Sequence, residues 1–121
     1  RRTENMMRFL NLIDPKKFQT DFEVEGSSNY AFNLVQRHAD DDLATRLMAA
    51  MDYNEIEYRR GSAGGGNQLR QPYLQAYLSS PNVHENFPAT EHIHFYGFYI
   101  GNFPDLLLED VDFICSVLNA A

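Results

Sequence analysis

Three short segments far apart in the chain carry strand patterns, and they set the architecture. From Asn29 to Val35, Tyr30, Phe32 and Leu34 face one way while Ala31, Asn33 and Val35 face the other, the period-two pattern of a β-strand. Glu55 to Arg59 alternates again, with Ile56 and Tyr58 on one face. Phe95 to Ile100 is aromatic and β-branched and reads as a third strand. Helical stripes surround them. Met6, Phe9, Leu10 and Ile13 share one face of a first helix that Asp14-Pro15 stops. Asp40 to Asp42 supply a cap and first-turn acids for a second helix, with Leu43, Leu47, Ala50 and Met51 as its stripe. Asp105 is expected to cap a last helix carrying Leu107, Val111, Ile114 and Leu118. Between the second and third strands lie a glycine-rich loop over 61–68, a short helix from Gln71-Pro72 to Leu78, a loop, and one helical turn from Thr90 to His94. The order predicts an α+β two-layer small domain, a three-stranded sheet with flanking helices.

A chain of 121 residues is one domain with a modest core. The first residues, Arg1-Arg2-Thr3, enter the helical pattern with no initiator Met and no cap. A piece of a longer protein is the simplest reading, and a processed terminus explains the missing Met equally well. No apolar run approaches the ~20 residues that cross a bilayer. No secretory pattern is present, and the single Cys115 fits a reducing compartment, so the expected location is the cytoplasm. A net charge of −7 argues against nucleic-acid and anionic-membrane partners.

The chemistry concentrates in Arg59-Arg60-Gly61-Ser62-Ala63-Gly64-Gly65-Gly66-Asn67-Gln68-Leu69-Arg70-Gln71-Pro72-Tyr73. Arginines flank a loop whose backbone can approach a ligand closely, and guanidinium forks bind phosphate or carboxylate bidentately. The loop has neither the Gly-Lys-Ser/Thr of a phosphate-binding loop nor the Gly-x-Gly-x-x-Gly of a dinucleotide fold. Two readings stand: an anion-binding loop, or a flexible loop whose arginines meet solvent and surface carboxylates such as Glu55 and Glu57. His92 and His94 would share a face on a strand and could share a metal, but no Cys or carboxylate completes a ligand set. A structural role suits them better. The only lysines, Lys16 and Lys17, lie in a polar connecting segment unlike the desolvated pocket of a Schiff-base lysine. Cys115 borders the apolar stripe of the last helix and reads as an inert core thiol.

Ile56-Glu57-Tyr58-Arg59-Arg60, Gly66-Asn67-Gln68-Leu69-Arg70-Gln71-Pro72-Tyr73 and His92-Ile93-His94-Phe95-Tyr96-Gly97-Phe98-Tyr99-Ile100-Gly101-Asn102 together resemble the DegT/DnrJ/EryC1/StrS family. Arg2 and Asn5 fit the helix that leads into that family's small domain. These are aspartate-aminotransferase-fold enzymes acting on nucleotide-linked 4-keto-6-deoxy sugars, and the likeness is to the 3-dehydratase and perosamine-synthase-like branch. The resemblance covers nearly this whole chain but only the C-terminal third of a family member. It implies that residues 1–121 are the C-terminal small domain, with the large domain that holds pyridoxal phosphate lying outside this chain. It also implies that no cofactor is bound by this chain, that the isolated chain is inactive, and that the partners are a nucleotide-sugar substrate, the large domain and a second subunit of a homodimer. By analogy Arg59, Asn67, Arg70 and His94 are expected nearest the substrate. The competing hypothesis is a non-enzymatic interaction module whose exposed aromatic strand pairs with a partner's edge. Separated from a large domain, the chain is expected to expose the Met6, Phe9, Leu10 and Ile13 face and to self-associate.

Overall fold

A computed structural model describes residues 1–121. The elements are α1 (Arg2–Leu12), β1 (Ala31–Val35), α2 (Asp41–Tyr53), β2 (Tyr58–Arg60), α3 (Pro88–Tyr96), β3 (Gly97–Gly101) and α4 (Leu108–Ala120). Short 3₁₀ turns fill the stretch between β2 and α3. The sheet is antiparallel, in the order β1-β3-β2. The expected α+β layering is present. The aromatic-rich strand is the middle strand, however, so it offers no free edge; the edges belong to β1 and β2.

One face of the sheet builds the core. Phe32 pairs with Ile100 and Leu34 with Phe98 across β1 and β3, and all four are buried. The apolar stripes of α1, α2 and α4 close over them in one cluster. Phe9 of α1 stacks on Phe32 at a centroid distance of 4.7 Å. Met6, Phe9 and Ile13 are 1–2% exposed. This overturns the expectation that their face is an open patch: the chain's own sheet and α4 cover it. The exposed large apolar groups include Met7, on another side of α1, and Tyr73, Tyr77, Phe95, Phe103 and Phe113.

Local chemistry sets the helix ends. Asp40 caps α2 through its Oδ1, which accepts the Leu43 N–H at 2.9 Å. Asp105 does not cap α4. The helix begins later, where the Asp110 carboxylate reaches back to the Leu107 N–H at 2.9 Å. At α3, Pro88 occupies the first turn, where its missing N–H costs nothing. Helix then runs on through Phe95 and Tyr96, residues whose aromatic character suggests strand, until Gly97 opens β3. His92 and His94 are therefore two apart on a helix, about 200° around its axis, and no group of metal-ligating side chains forms.

Asn102 joins the two ends of the chain. Its Nδ2 donates to the carbonyls of Arg2 at 2.9 Å and Asn29 at 2.8 Å, and its Oδ1 accepts from Asn5 Nδ2 at 3.1 Å. Its own carbonyl accepts from Arg2 Nε at 3.0 Å. Farther along, Arg8 forks onto Asp112, and Asn119 Oδ1 accepts the Asp14 N–H at 2.8 Å. Partners advance together along both segments, so α1 and α4 lie parallel. No helix is long and apolar enough to cross a membrane.

Candidate functional site

The chain leaves β2 and folds back onto α3 through residues 61–71. Two glycines permit the approach. Gly61 donates its N–H to the Gly97 carbonyl at 2.6 Å, and a Cβ there would stand 1.8 Å from the Ile93 carbonyl oxygen. Gly66 has φ +57°, and a Cβ there would stand 2.2 Å from His94 Nδ1. Only glycine combines that backbone with that proximity.

Asn67 is buried, and its carbonyl accepts the Arg70 N–H at 3.0 Å. Its N–H donates to His94 Nδ1 at 2.9 Å, its Nδ2 to Glu91 Oε1 at 2.6 Å, and its Oδ1 accepts the Leu69 N–H at 3.1 Å. Arg70 completes the unit by a fork onto Glu91: Nε donates to Oε1 at 2.8 Å and Nη2 donates to Oε2. Its guanidinium carbon lies 4.9 Å from the centroid of the Phe95 ring, a cation–π geometry. Gln71 Nε2 then ties back to the Gly65 carbonyl at 2.6 Å.

The electrostatics agree with the geometry. The Arg70 and Asn67 bonds hold the Glu91 carboxyl well down, at about 2, against burial, which acts the other way. Burial lowers the His94 pKa, and the positive charges of Arg70 and Arg60 lower it further, with Glu91 opposing them. His94 is thus neutral at pH 7, with Nδ1 as acceptor and the proton on Nε2.

Three of the expected site residues, Asn67, Arg70 and His94, are brought together. Arg59 is not among them. It pairs in register with Tyr99 on β3, lies 3.7 Å from Glu57, and lines a separate groove of about 490 Å³ with Tyr99, Phe103 and Phe113. Arg60, one residue on and so on the other face of the strand, is the arginine beside the unit. Its Nη2 donates to the Phe95 carbonyl at 2.9 Å. Glu91 is the residue that the sequence reading missed: as a first-turn acid of a helix it carries no signal of its partners 21 and 24 positions away.

The remaining candidates have structural partners. His92 Nε2 donates to the Gln36 carbonyl at 2.6 Å. Cys115 is buried, its thiol pushed up to about 12 by desolvation, which leaves it unreactive. Lys17 Nζ donates to the Asn119 carbonyl at 2.7 Å, and Lys16 is exposed. The loop and α3 are thus joined by hydrogen bonds through Asn67, Arg70, Glu91 and His94.

No protein-family model and no curated protein sequence matches this chain. Among solved structures, the crystal structure of GDP-4-keto-6-deoxymannose-3-dehydratase with a trapped PLP-glutamate geminal diamine is similar, with a TM-score of 0.76 at 24% identity. The match covers 97% of this chain and 30% of that one. The chain therefore has the fold of a portion of that dehydratase, and it spans under a third of that protein's length.

Proposed function

We propose that this chain is the C-terminal small domain of a pyridoxal-phosphate-type enzyme that aminates or 3-dehydrates a nucleotide-linked 4-keto-6-deoxy sugar. In this reading residues 61–71 with α3 form its share of the substrate site. The observation that carries the proposal is a coincidence. The fold of nearly the whole chain matches part of a sugar 3-dehydratase, and the Gly66-Asn67…Arg70 motif is the segment clamped onto α3 by Glu91 and His94. Arg70 spends one Nε and one Nη2 hydrogen on Glu91, which leaves three of its five donors, two of them on Nη1, for an anionic ligand. His94 Nε2–H suits a sugar hydroxyl or carbonyl. Arg59, in its own groove, lies outside this unit.

Of this chain's two lysines, Lys17 is committed to Asn119 and Lys16 is exposed. In this proposal the cofactor belongs to the large domain, and this chain binds and orients the substrate there and across a homodimer. The test is an assay of the longer enzyme with a nucleotide-linked 4-keto-6-deoxy sugar and glutamate. Turnover supports the reading. Failure to bind the sugar nucleotide, in folded and cofactor-loaded protein, overturns it.

A further inference from the structure

We infer that the groove beside β2 docks an extended basic segment of a partner polypeptide, which adds to the sheet at the β2 edge. Two independent observations meet there. The first is backbone. β2 is an edge strand, and the Gly61 N–H bond to the Gly97 carbonyl marks a hydrogen-bonded pair. Pairs alternate along an antiparallel ladder, so Arg59 bonds to Tyr99 while Tyr58 and Arg60 turn their N–H and C=O groups outward. Such a row of unpaired groups is a template for one more strand.

The second observation is a groove of about 490 Å³ at the start of this strand, lined by residues 55–59 together with Tyr99–Gly101 of β3. Leu106 lies in its floor, and Phe103 and Phe113 stand in it 54% and 50% exposed. Exposed phenylalanines in a concave surface suit bulky apolar side chains of a strand. Glu55, Glu57 and Asp110 line it too. The one cation, Arg59, is already within 3.7 Å of Glu57, so the groove is acidic.

Charge selects the occupant. A nucleotide or phosphate is repelled by these carboxylates. A second copy docked groove to groove would meet like charge as well. An extended segment with alternating apolar residues and lysine or arginine beside them satisfies the edge, the apolar floor and the acidic rim together. This inference does not depend on the nucleotide-sugar reading.

A phage library of random dodecapeptides, panned on the 121-residue chain and counter-selected on a Phe113→Asp variant, tests it. Recovered peptides should be rich in Lys and Arg alternating with apolar residues. They should slow amide exchange at Tyr58 and Arg60. Their affinity should fall about tenfold in a Glu55→Lys/Glu57→Lys variant and fall again with added salt. All the substituted side chains are exposed, and circular dichroism checks that the variants fold. If Phe113→Asp misfolds, the charge-reversal variant decides. Peptides without a basic bias, equal binding to the variants, or no enrichment would overturn the inference. So would sedimentation showing a dimer of this chain that Phe113→Asp dissociates, since a second copy would then be the occupant.

Discussion

The Asn67 N–H donates to His94 Nδ1 at 2.9 Å, so the loop is anchored by a histidine that must be neutral. Arg70, Arg60 and Glu91 face that imidazole, and with burial their balance lowers its pKa below 6.5. The sign of the pH effect follows. Below about 6.5 the unfolded chain takes up a proton that the folded chain resists. Stability should therefore fall as pH drops through that value, and stop falling from this source once the folded imidazole protonates. The Glu91 contribution is complete above 4.5 and is lost as pH falls towards about 2. Urea unfolding between neutral pH and pH 5 should show the first decline. His94→Asn, which keeps an acceptor near Nδ1 without the charge, should flatten it. An unchanged slope in His94→Asn would assign the decline to another group.

Gly66→Ala should loosen the loop without unfolding the domain. The positive φ alone costs a non-glycine residue roughly 1–2 kcal/mol, and the new Cβ would press on His94 Nδ1. Faster amide exchange at Asn67, with the β1–β3 ladder still protected, is the expected outcome. Wild-type protection at Asn67 would show that the backbone tolerates a side chain there.

Arg70 is expected to matter through its fork. In the longer enzyme, Arg70→Ala should lower kcat/KM by about ten- to a hundredfold. Arg70→Lys should restore little, because an ammonium cannot grip both Glu91 oxygens while presenting a further donor pair. Glu91→Gln should reproduce part of the loss, and the double variant should be less than additive. Full activity in Arg70→Lys would reduce the arginine to a point charge.

Asn102→Leu should destabilise the fold by roughly 2–4 kcal/mol, because it strands several buried partners at once. The Arg2 and Asn29 carbonyls and the Asn5 amide would each lose a bond. Denaturant unfolding measures this directly. A loss of less than about 1 kcal/mol would mean that water replaces the side chain.

Much of this was legible in the sequence because periodicity reports burial. Most of the stripe residues of α1, α2 and α4, with Phe32 and Leu34, lie in the core; Leu107, read as part of the last helix's stripe, stands before α4 and is 54% exposed. The failures have physical causes. Phe95 and Tyr96 have strand composition, but a helix started at Pro88 carries through them. Arg59 and Arg60 are adjacent, and a strand sends adjacent side chains to opposite faces, so composition could not say which arginine joins His94. Glu91 was hidden because its role is tertiary. The burial of α1's apolar face was hidden too: an amphipathic stripe shows that a face is covered, not whether this chain or another covers it.

The parallel pairing of α1 with α4 has a consequence for biosynthesis. The bonds that seat α1 span 97 to 107 positions. A ribosome releases α1 long before α4 exists, and at usual elongation rates the interval is roughly 5–20 s. For that time the α4 side of the Met6, Phe9 and Ile13 face is uncovered, and only earlier elements such as Phe32 of β1 are there to pack against it. The nascent chain thus carries a half-covered amphipathic helix until its last segment is made.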